Sequence, residues 1–298
     1  MSPLMILGAN GMLGYSLLRH LSANPSRVVH GSLRSLAPSL PGAGSAMLHG
    51  GIEATDFSCV EDLLEQVKPD VLINCIGLIK QRDNAVDPVL AIALNASFPH
   101  QLAAWCDRHG SRLIHFSTDC VFAGDRGGYR ESDPADADDL YGRSKHLGEV
   151  DYGRHLTLRT SLIGHELASQ LSLIDWFLST QGSVSGYANV IFSGLPTVEI
   201  GRLLDERILP EKGLTGLYHL SGEPIDKDRL LRIVARHYGH SVDIHRCEEP
   251  RLDRSLNSDR LRAALEYAPP NWEELVTRMH EDYLRYYAAL RSAEERHP

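Results

Sequence analysis

Cysteine is scarce in this 298-residue chain: only Cys59, Cys75, Cys106, Cys120 and Cys247 occur. Their number is odd, they are scattered, and no Cys-x-x-Cys is formed. Paired disulfides and a cysteine zinc site are therefore both poorly supported. Reduced thiols in a cytoplasmic protein are the expectation. Long apolar runs are missing too, since none approaches the ~18 residues that span a bilayer. The first residues, Met1 to Leu7, are apolar but short. They have no basic leader and run straight into glycines, which reads as a first strand and not a signal peptide. Nor is there a basic excess: 30 Lys and Arg against 39 Asp and Glu give a formal charge of −9. Proteins that grip nucleic acid usually carry the opposite balance, so neither nucleic acid nor membrane is expected as a partner. Fixed-period repeats and low-complexity tracts are also absent.

What is present is an ordinary globular composition, 43% hydrophobic and 23% charged, in a chain long enough for a large core and about two domains. The first half alternates short apolar strands with helical patterns. Strands are expected at Leu4–Leu7, Arg27–Gly31, Val71–Cys75, Arg112–Phe116 and Leu156–Leu162. Helices are expected at Met12–Leu21, Val60–Val67, Pro88–Arg108 and Tyr141–Val150. Such alternation predicts an α/β fold, a doubly wound parallel sheet with helices on both faces. Ser35–Gly51 and Gly124–Asp139 read as loops, the second with a run of acids better suited to a solvated surface than to a metal site. After about residue 165 the rhythm loosens. The expected organisation is a Rossmann body over residues 1–165, with 166–298 forming a smaller substrate-binding lobe partly interleaved with it.

Ile6-Leu7-Gly8-Ala9-Asn10-Gly11-Met12-Leu13-Gly14 places three glycines between a strand and a helix start. Gly8 can turn the chain tightly, Gly11 admits a pyrophosphate close to the backbone, and Gly14 lets helix and strand pack together. The amides of the helix start would face phosphates. Gly8, Asn10, Gly11, Met12 and Leu13 are therefore candidate dinucleotide contacts. No acid stands at the end of the second strand to hold a ribose 2′-hydroxyl. Arg34 is there instead, and its planar fork suits a 2′-phosphate, which favours NADP(H) over NAD(H).

Ser117-Thr118-Asp119 closes the strand Arg112–Phe116, where ligands bind in open α/β sheets. Tyr141-Gly142-Arg143-Ser144-Lys145 follows. The spacing of four puts Tyr141 and Lys145 on one helix face, where an ammonium would favour ionisation of the phenol. A free phenol has a pKa near ~10 and needs such help to move protons at neutral pH.

With these pieces together, the chain resembles an extended short-chain dehydrogenase/reductase, and within that superfamily the dTDP-4-dehydrorhamnose reductase family. The likeness rests on Gly8–Gly14, Asn74-Cys75-Ile76-Gly77, Ser117 to Phe122, Tyr129-Arg130-Glu131 and Tyr141 to Lys145 with Gly148-Glu149. Leu158-Arg159-Thr160-Ser161 and Gly194-Leu195-Pro196-Thr197 complete it. The resemblance implies a catalytic triad of Thr118, Tyr141 and Lys145. It also implies Asp56 and Phe57 near the adenine, and Cys75, Ile76 and Gly77 along the cofactor ribose and diphosphate. Tyr141 and Lys145 would touch the cofactor as well, and a nucleotide sugar would sit in the C-terminal lobe.

Two departures stand near the expected sugar. The family's usual Tyr after Thr-Asp is Cys120 here, and the usual Trp after Arg-Thr-Ser is Leu162. No metal ligands can be matched. The expected reaction is NADPH-dependent reduction of a C4 ketone on a nucleotide-linked 4-keto-6-deoxy sugar. The alternatives are an epimerase or dehydratase of the same fold, or a non-catalytic NADP-binding regulatory subunit. The usual dehydratase signature has Glu where Cys120 stands. Trp272, Tyr283, Tyr286 and Tyr287 mark the last helix, which would either pack on the body or form a homodimer surface.

Overall fold

The computed structural model describes residues 3–35, 40–78, 87–167 and 170–290. Seven parallel strands make the main sheet. In chain order, β1 is Pro3–Leu7, β2 Val28–Ser32, β3 Met47–His49, β4 Val71–Asn74, β5 Arg112–Thr118 and β6 Leu156–Thr160. Gly216–His219 from the C-terminal half is the seventh, and it pairs in parallel with β6. The spatial order is Gly216–His219, β6, β5, β4, β1, β2, β3. Strand order therefore reverses between β1 and β4, the point where such sheets open a crevice.

The strands are apolar on both sides, as a covered parallel sheet requires. Alternate residues serve alternate layers. Met5, Leu7, Leu72 and Leu113 join Val60, Leu64, Phe98, Leu102 and Trp105 in one cluster. Leu4, Ile6, Ile73, Ile114 and Phe116 face the other way, onto Leu17, Leu18 and apolar residues of the C-terminal half. The helices that cover the sheet are α1 (Met12–Ser22), α2 (Phe57–Val67), α3 (Pro88–Ala91), α4 (Phe98–His109) and α5 (Leu140–Leu147) in the first half. Longer helices of the second half include Lys227–Tyr238 and Trp272–Tyr286.

Three expectations are corrected. The stretch Ser35–Gly51 is not all loop, because β3 lies in it and pairs with β2. The helical run Pro88–Arg108 is not continuous: a π-helical turn at Ile92–Ser97 separates α3 from α4. Pro99 follows that turn, where it gives up no helical amide of its own, and the buried Asn95 turns inward to bond the chain at Leu78. The loop Gly124–Asp139 is not simply solvated. Its Tyr129 is fully buried and stacks on Phe122 with ring centroids 4.2 Å apart.

Candidate active site

The carboxyl ends of β1, β4 and β5 define the site. Gly8 leaves β1 with φ of +79°, a conformation that costs glycine little. A Cβ there would lie 2.9 Å from Ile76 Cγ1. Gly14 is tighter still, since a Cβ would fall 2.1 Å from the Gly8 carbonyl oxygen. Gly8 and Ile76 are thus brought into contact, and α1 starts close against the strand. Gly11 precedes α1 without a side-chain cap, and the first turn carries no acid. Amides in a helix's first turn have no intrahelical acceptor, so those of Met12 and Leu13 can receive phosphate oxygens, while the Gly11 amide donates to the Gly8 carbonyl at 3.1 Å and closes the turn. Asn10 is exposed beside them.

Ser32, at the end of β2, has its hydroxyl taken up by Gly8, whose amide donates to Oγ at 3.1 Å. Arg34 lies two residues on and is exposed. Asp56 caps α2, accepting the Ser58 amide at 3.1 Å. Phe57 makes an edge-on contact with Phe98, with centroids 6.2 Å apart. A cleft of about 530 Å³ opens here and is lined by His49, Ile52, Asp56 and Cys59 among others. The Cys75 amide donates to the Leu7 carbonyl at 3.1 Å, and Gly77 sits where an added Cβ would be 3.8 Å from Lys145 Nζ. Gly8, Ile76, Gly77 and Lys145 therefore line one continuous edge of the crevice.

Thr118 ends β5. Its hydroxyl donates to Asp119 Oδ1 at 3.2 Å and accepts the Cys120 amide at 3.1 Å. Tyr141 lies in the first turn of α5, which Asp139 caps by accepting the Gly142 amide at 2.7 Å. A Cβ on Gly142 would sit 2.2 Å from the Cys120 carbonyl oxygen, so α5 presses directly on the end of β5. This contact delivers the phenol to Thr118, with which it is hydrogen-bonded. Burial pushes the phenol's pKa up. Cys120, Asp119 and Asp139 push it the same way, and the Thr118 hydrogen bond pulls against them.

The Lys145 ammonium donates to the Phe116 carbonyl at 2.7 Å, and after burial the groups that raise the phenol are Cys120, Asp119 and Asp139. Burial lowers the lysine to about 8, against support from Glu149 and Cys75. The side chain faces the Gly77 edge of the crevice from one turn beyond Tyr141.

Ser117 points to the opposite side of the sheet from Thr118, because successive residues of a strand alternate. Its hydroxyl donates to Glu149 Oε1 at 2.7 Å. Arg159 grips the same carboxylate through two bonds of 2.6 and 2.7 Å. Burial pushes Glu149 up, but Arg159 and His146 overcome it and hold the acid at about 2. Glu149 and Arg159 thereby anchor the end of α5 to β6.

Sequence reasoning missed Asn95, Lys227 and Arg254 around this site, and it named Ser161 only within a family motif. Asn95 holds Leu78 and donates to Ser144 Oγ at 3.2 Å, so it ties the π-helical turn to α5. Ser161 donates to Asp119 Oδ2 at 2.9 Å. Lys227, from the second half, is desolvated, and Asp119 and Cys120 lie within its electrostatic reach. Arg254 Nη1 lies 3.7 Å from Cys120 Sγ. Pro99 within a helical pattern was the one signal for Asn95. Lys227 and Arg254 come from distant segments and left no local trace.

The model of the RmlD substrate binding domain matches residues 1–174, a stretch that carries the glycine turn, Thr118, Tyr141 and Lys145. The chain belongs to this family. Among curated relatives, the probable low-salt glycan biosynthesis reductase Agl14 of Haloferax volcanii is 37% identical over 145 residues, 48% of this chain and 46% of that protein. The dTDP-4-dehydrorhamnose reductase of Streptomyces griseus is 32% identical over 149 residues, covering 49% and 43%. The chain thus spans a little under half the length of the first curated relatives it matches. In fold it is similar to dTDP-4-dehydrorhamnose reductase of Bacillus anthracis, solved with NADP: the TM-score is 0.78 at 21% identity, over 95% and 99% of the two chains. Bordetella bronchiseptica WbmG, solved with NAD, superposes with a TM-score of 0.73 at 18% identity, over 96% and 94%. No described helix is long and apolar enough to cross a membrane.

Proposed function

We propose that this chain is an oxidoreductase that uses NADPH to reduce the C4 ketone of a nucleotide-linked 4-keto-6-deoxy sugar. The observation that carries this reading is the placement of a phenol bonded to Thr118 at the carboxyl end of β5, beside the glycine crevice. Relatives named as reductases of 4-keto sugars on dTDP support the substrate class. Neighbours in fold were solved with NADP and with NAD. The residues present suit a nicotinamide dinucleotide. Gly8, Asn10, Gly11, Met12 and Leu13 would take the diphosphate, and Cys75, Ile76 and Gly77 the adjoining ribose. Asp56 and Phe57 would flank the adenine. Arg34 is exposed where a 2′-phosphate would stand, and no acid competes there, which favours NADP(H).

When bound, the reduced nicotinamide supplies the hydride. The chain's own groups do the rest. Thr118 donates a hydrogen bond to the ketone oxygen and orients it. Tyr141 gives that oxygen its proton as charge develops. The raised phenol pKa keeps that proton in place until it is needed. Lys145 leaves the Phe116 carbonyl to hold the nicotinamide ribose, and its charge steadies the tyrosinate after transfer. Residues 166–298 provide most of the sugar-nucleotide pocket, with Cys120 and Leu162 at its edge. Replacement of Tyr141 by Phe tests the assignment. Positioned proton donors contribute ~10²–10⁴-fold, so kcat should fall on that scale while NADPH still binds. Near-normal turnover would remove Tyr141 from this role.

A further inference from the structure

Arg254 reaches the site from the C-terminal half. Its Nε donates to the Phe122 carbonyl at 2.8 Å and Nη2 to the Ala123 carbonyl at 3.2 Å. Nη1 lies 3.7 Å from Cys120 Sγ. One guanidinium therefore spans residues 120–123, the stretch that leaves Thr118 and forms the sugar side of the crevice. The backing is continuous. The Asp253 amide donates to the Gly124 carbonyl at 2.8 Å, and the Tyr129 amide to the Ser255 carbonyl at 2.9 Å. Gly124 has φ of +91°, and a Cβ on it would fall 2.7 Å from Arg254 Cγ. The side chain is thus laid flat against the loop it holds.

We infer that Arg254 is a positioning residue for the sugar side of the site, fixing Cys120 to Ala123 against Thr118 so that substrate meets a preformed wall. The inference rests on the reductase reading for its substrate. Nε, Nη1 and Nη2 each reach a different partner here, which suits a guanidinium fork and not an ammonium. The charge also matters. Asp119 is pushed up by burial, and Arg254 is among the groups that pull it back. The smaller Cys120 fills less of this wall than a tyrosine would, so a clamp on the backbone takes over part of the work of shaping it.

The test joins steady-state kinetics with hydrogen exchange on the full-length protein. In the structure the amides of Cys120, Phe122, Ala123 and Gly124 donate to Thr118 Oγ1, Asp119 O, Asp136 Oδ1 and the Tyr129 hydroxyl. In Arg254→Gln these amides should exchange about 10-fold faster or more, with those of residues 57–74 unchanged. With NADPH and dTDP-4-keto-6-deoxyglucose as probes, KM for the sugar should rise about 10-fold. The kcat should stay within about 3-fold, and the KM for NADPH should not move. Arg254→Lys keeps the charge but not the fork, and should lie between. It also serves where the Gln variant does not fold. Unchanged exchange overturns the inference, and so does faster exchange with an unchanged sugar KM. Wild-type protein inert toward the probe would count against the reductase reading instead, and the exchange data would still judge the clamp.

Discussion

Lys145 shows how one residue's surroundings set its chemistry. Buried beside β5, its ammonium is held at about 8, within reach of ordinary assay conditions. The tyrosine proton is secure over the same range, because burial first and then the neighbouring Cys120, Asp119 and Asp139 raise the phenol. On the proposed mechanism the charged lysine is the active form. It is protonated below about 8 and loses its charge above it. The kcat/KM for ketone reduction should therefore be level on the acid side and fall tenfold per pH unit above about 8. A profile measured from about pH 6 to about pH 10 checks this. A flat profile to the alkaline end would mean that the lysine's charge is not required. Residue types and their spacing in the sequence located Tyr141 and Lys145. They could not show that the ammonium rests on the Phe116 carbonyl, because that contact depends on how deeply α5 is pressed against β5.

At the scale of elements, α5 is held at both ends. Asp139 caps its start, and just beyond its last turn Glu149 takes bonds from Arg159 and Ser117. The Arg159–Glu149 side chains are only 3% and 5% exposed. Removing one partner of a buried pair costs about 3–5 kcal/mol. Glu149→Gln should lose about that much stability at neutral pH, as measured by denaturant unfolding. Because folding depresses this acid from 4.5 to about 2, its contribution is complete above about pH 4.5. It is lost as pH falls through that interval, so wild type and variant should converge there. A loss under about 1 kcal/mol would show that α5 is held by packing alone. The elements themselves were largely legible. Apolar runs marked β1, β4, β5 and β6, and the glycine triple marked the start of α1. β3 was hidden in a stretch rich in Ser, Pro and Gly, since an edge strand of three residues leaves almost no pattern. The π-helical turn was hidden because its hydrophobic spacing continues that of its neighbours.

For the whole molecule, the two halves of the chain share one sheet and one site. Gly216–His219 extends the sheet beyond β6. The buried His219 faces the Tyr129 carbonyl, with Nδ1 at 3.0 Å, and its amide donates to Glu131 Oε1 at 2.9 Å. The loop that looked solvated in sequence is thereby fastened between the halves, with Tyr129 at its centre. These partners lie roughly 90 to 130 residues apart, so no local pattern could reveal them. The sequence half that carries the glycine turn and the Tyr-Lys pair was readable because helices and turns are local. The proposed sugar side, with Cys120, Lys227 and Arg254, becomes visible only after folding. On the proposed function, hydride passes from a bound dihydronicotinamide to a sugar's C4. The most direct measurement is product analysis after incubation with dTDP-4-keto-6-deoxyglucose and NADPH carrying deuterium at both positions of the nicotinamide C4. One deuterium at the sugar's C4, with one NADPH consumed per product, is the predicted result. Turnover without net NADPH oxidation, or a product without deuterium at that carbon, would contradict it.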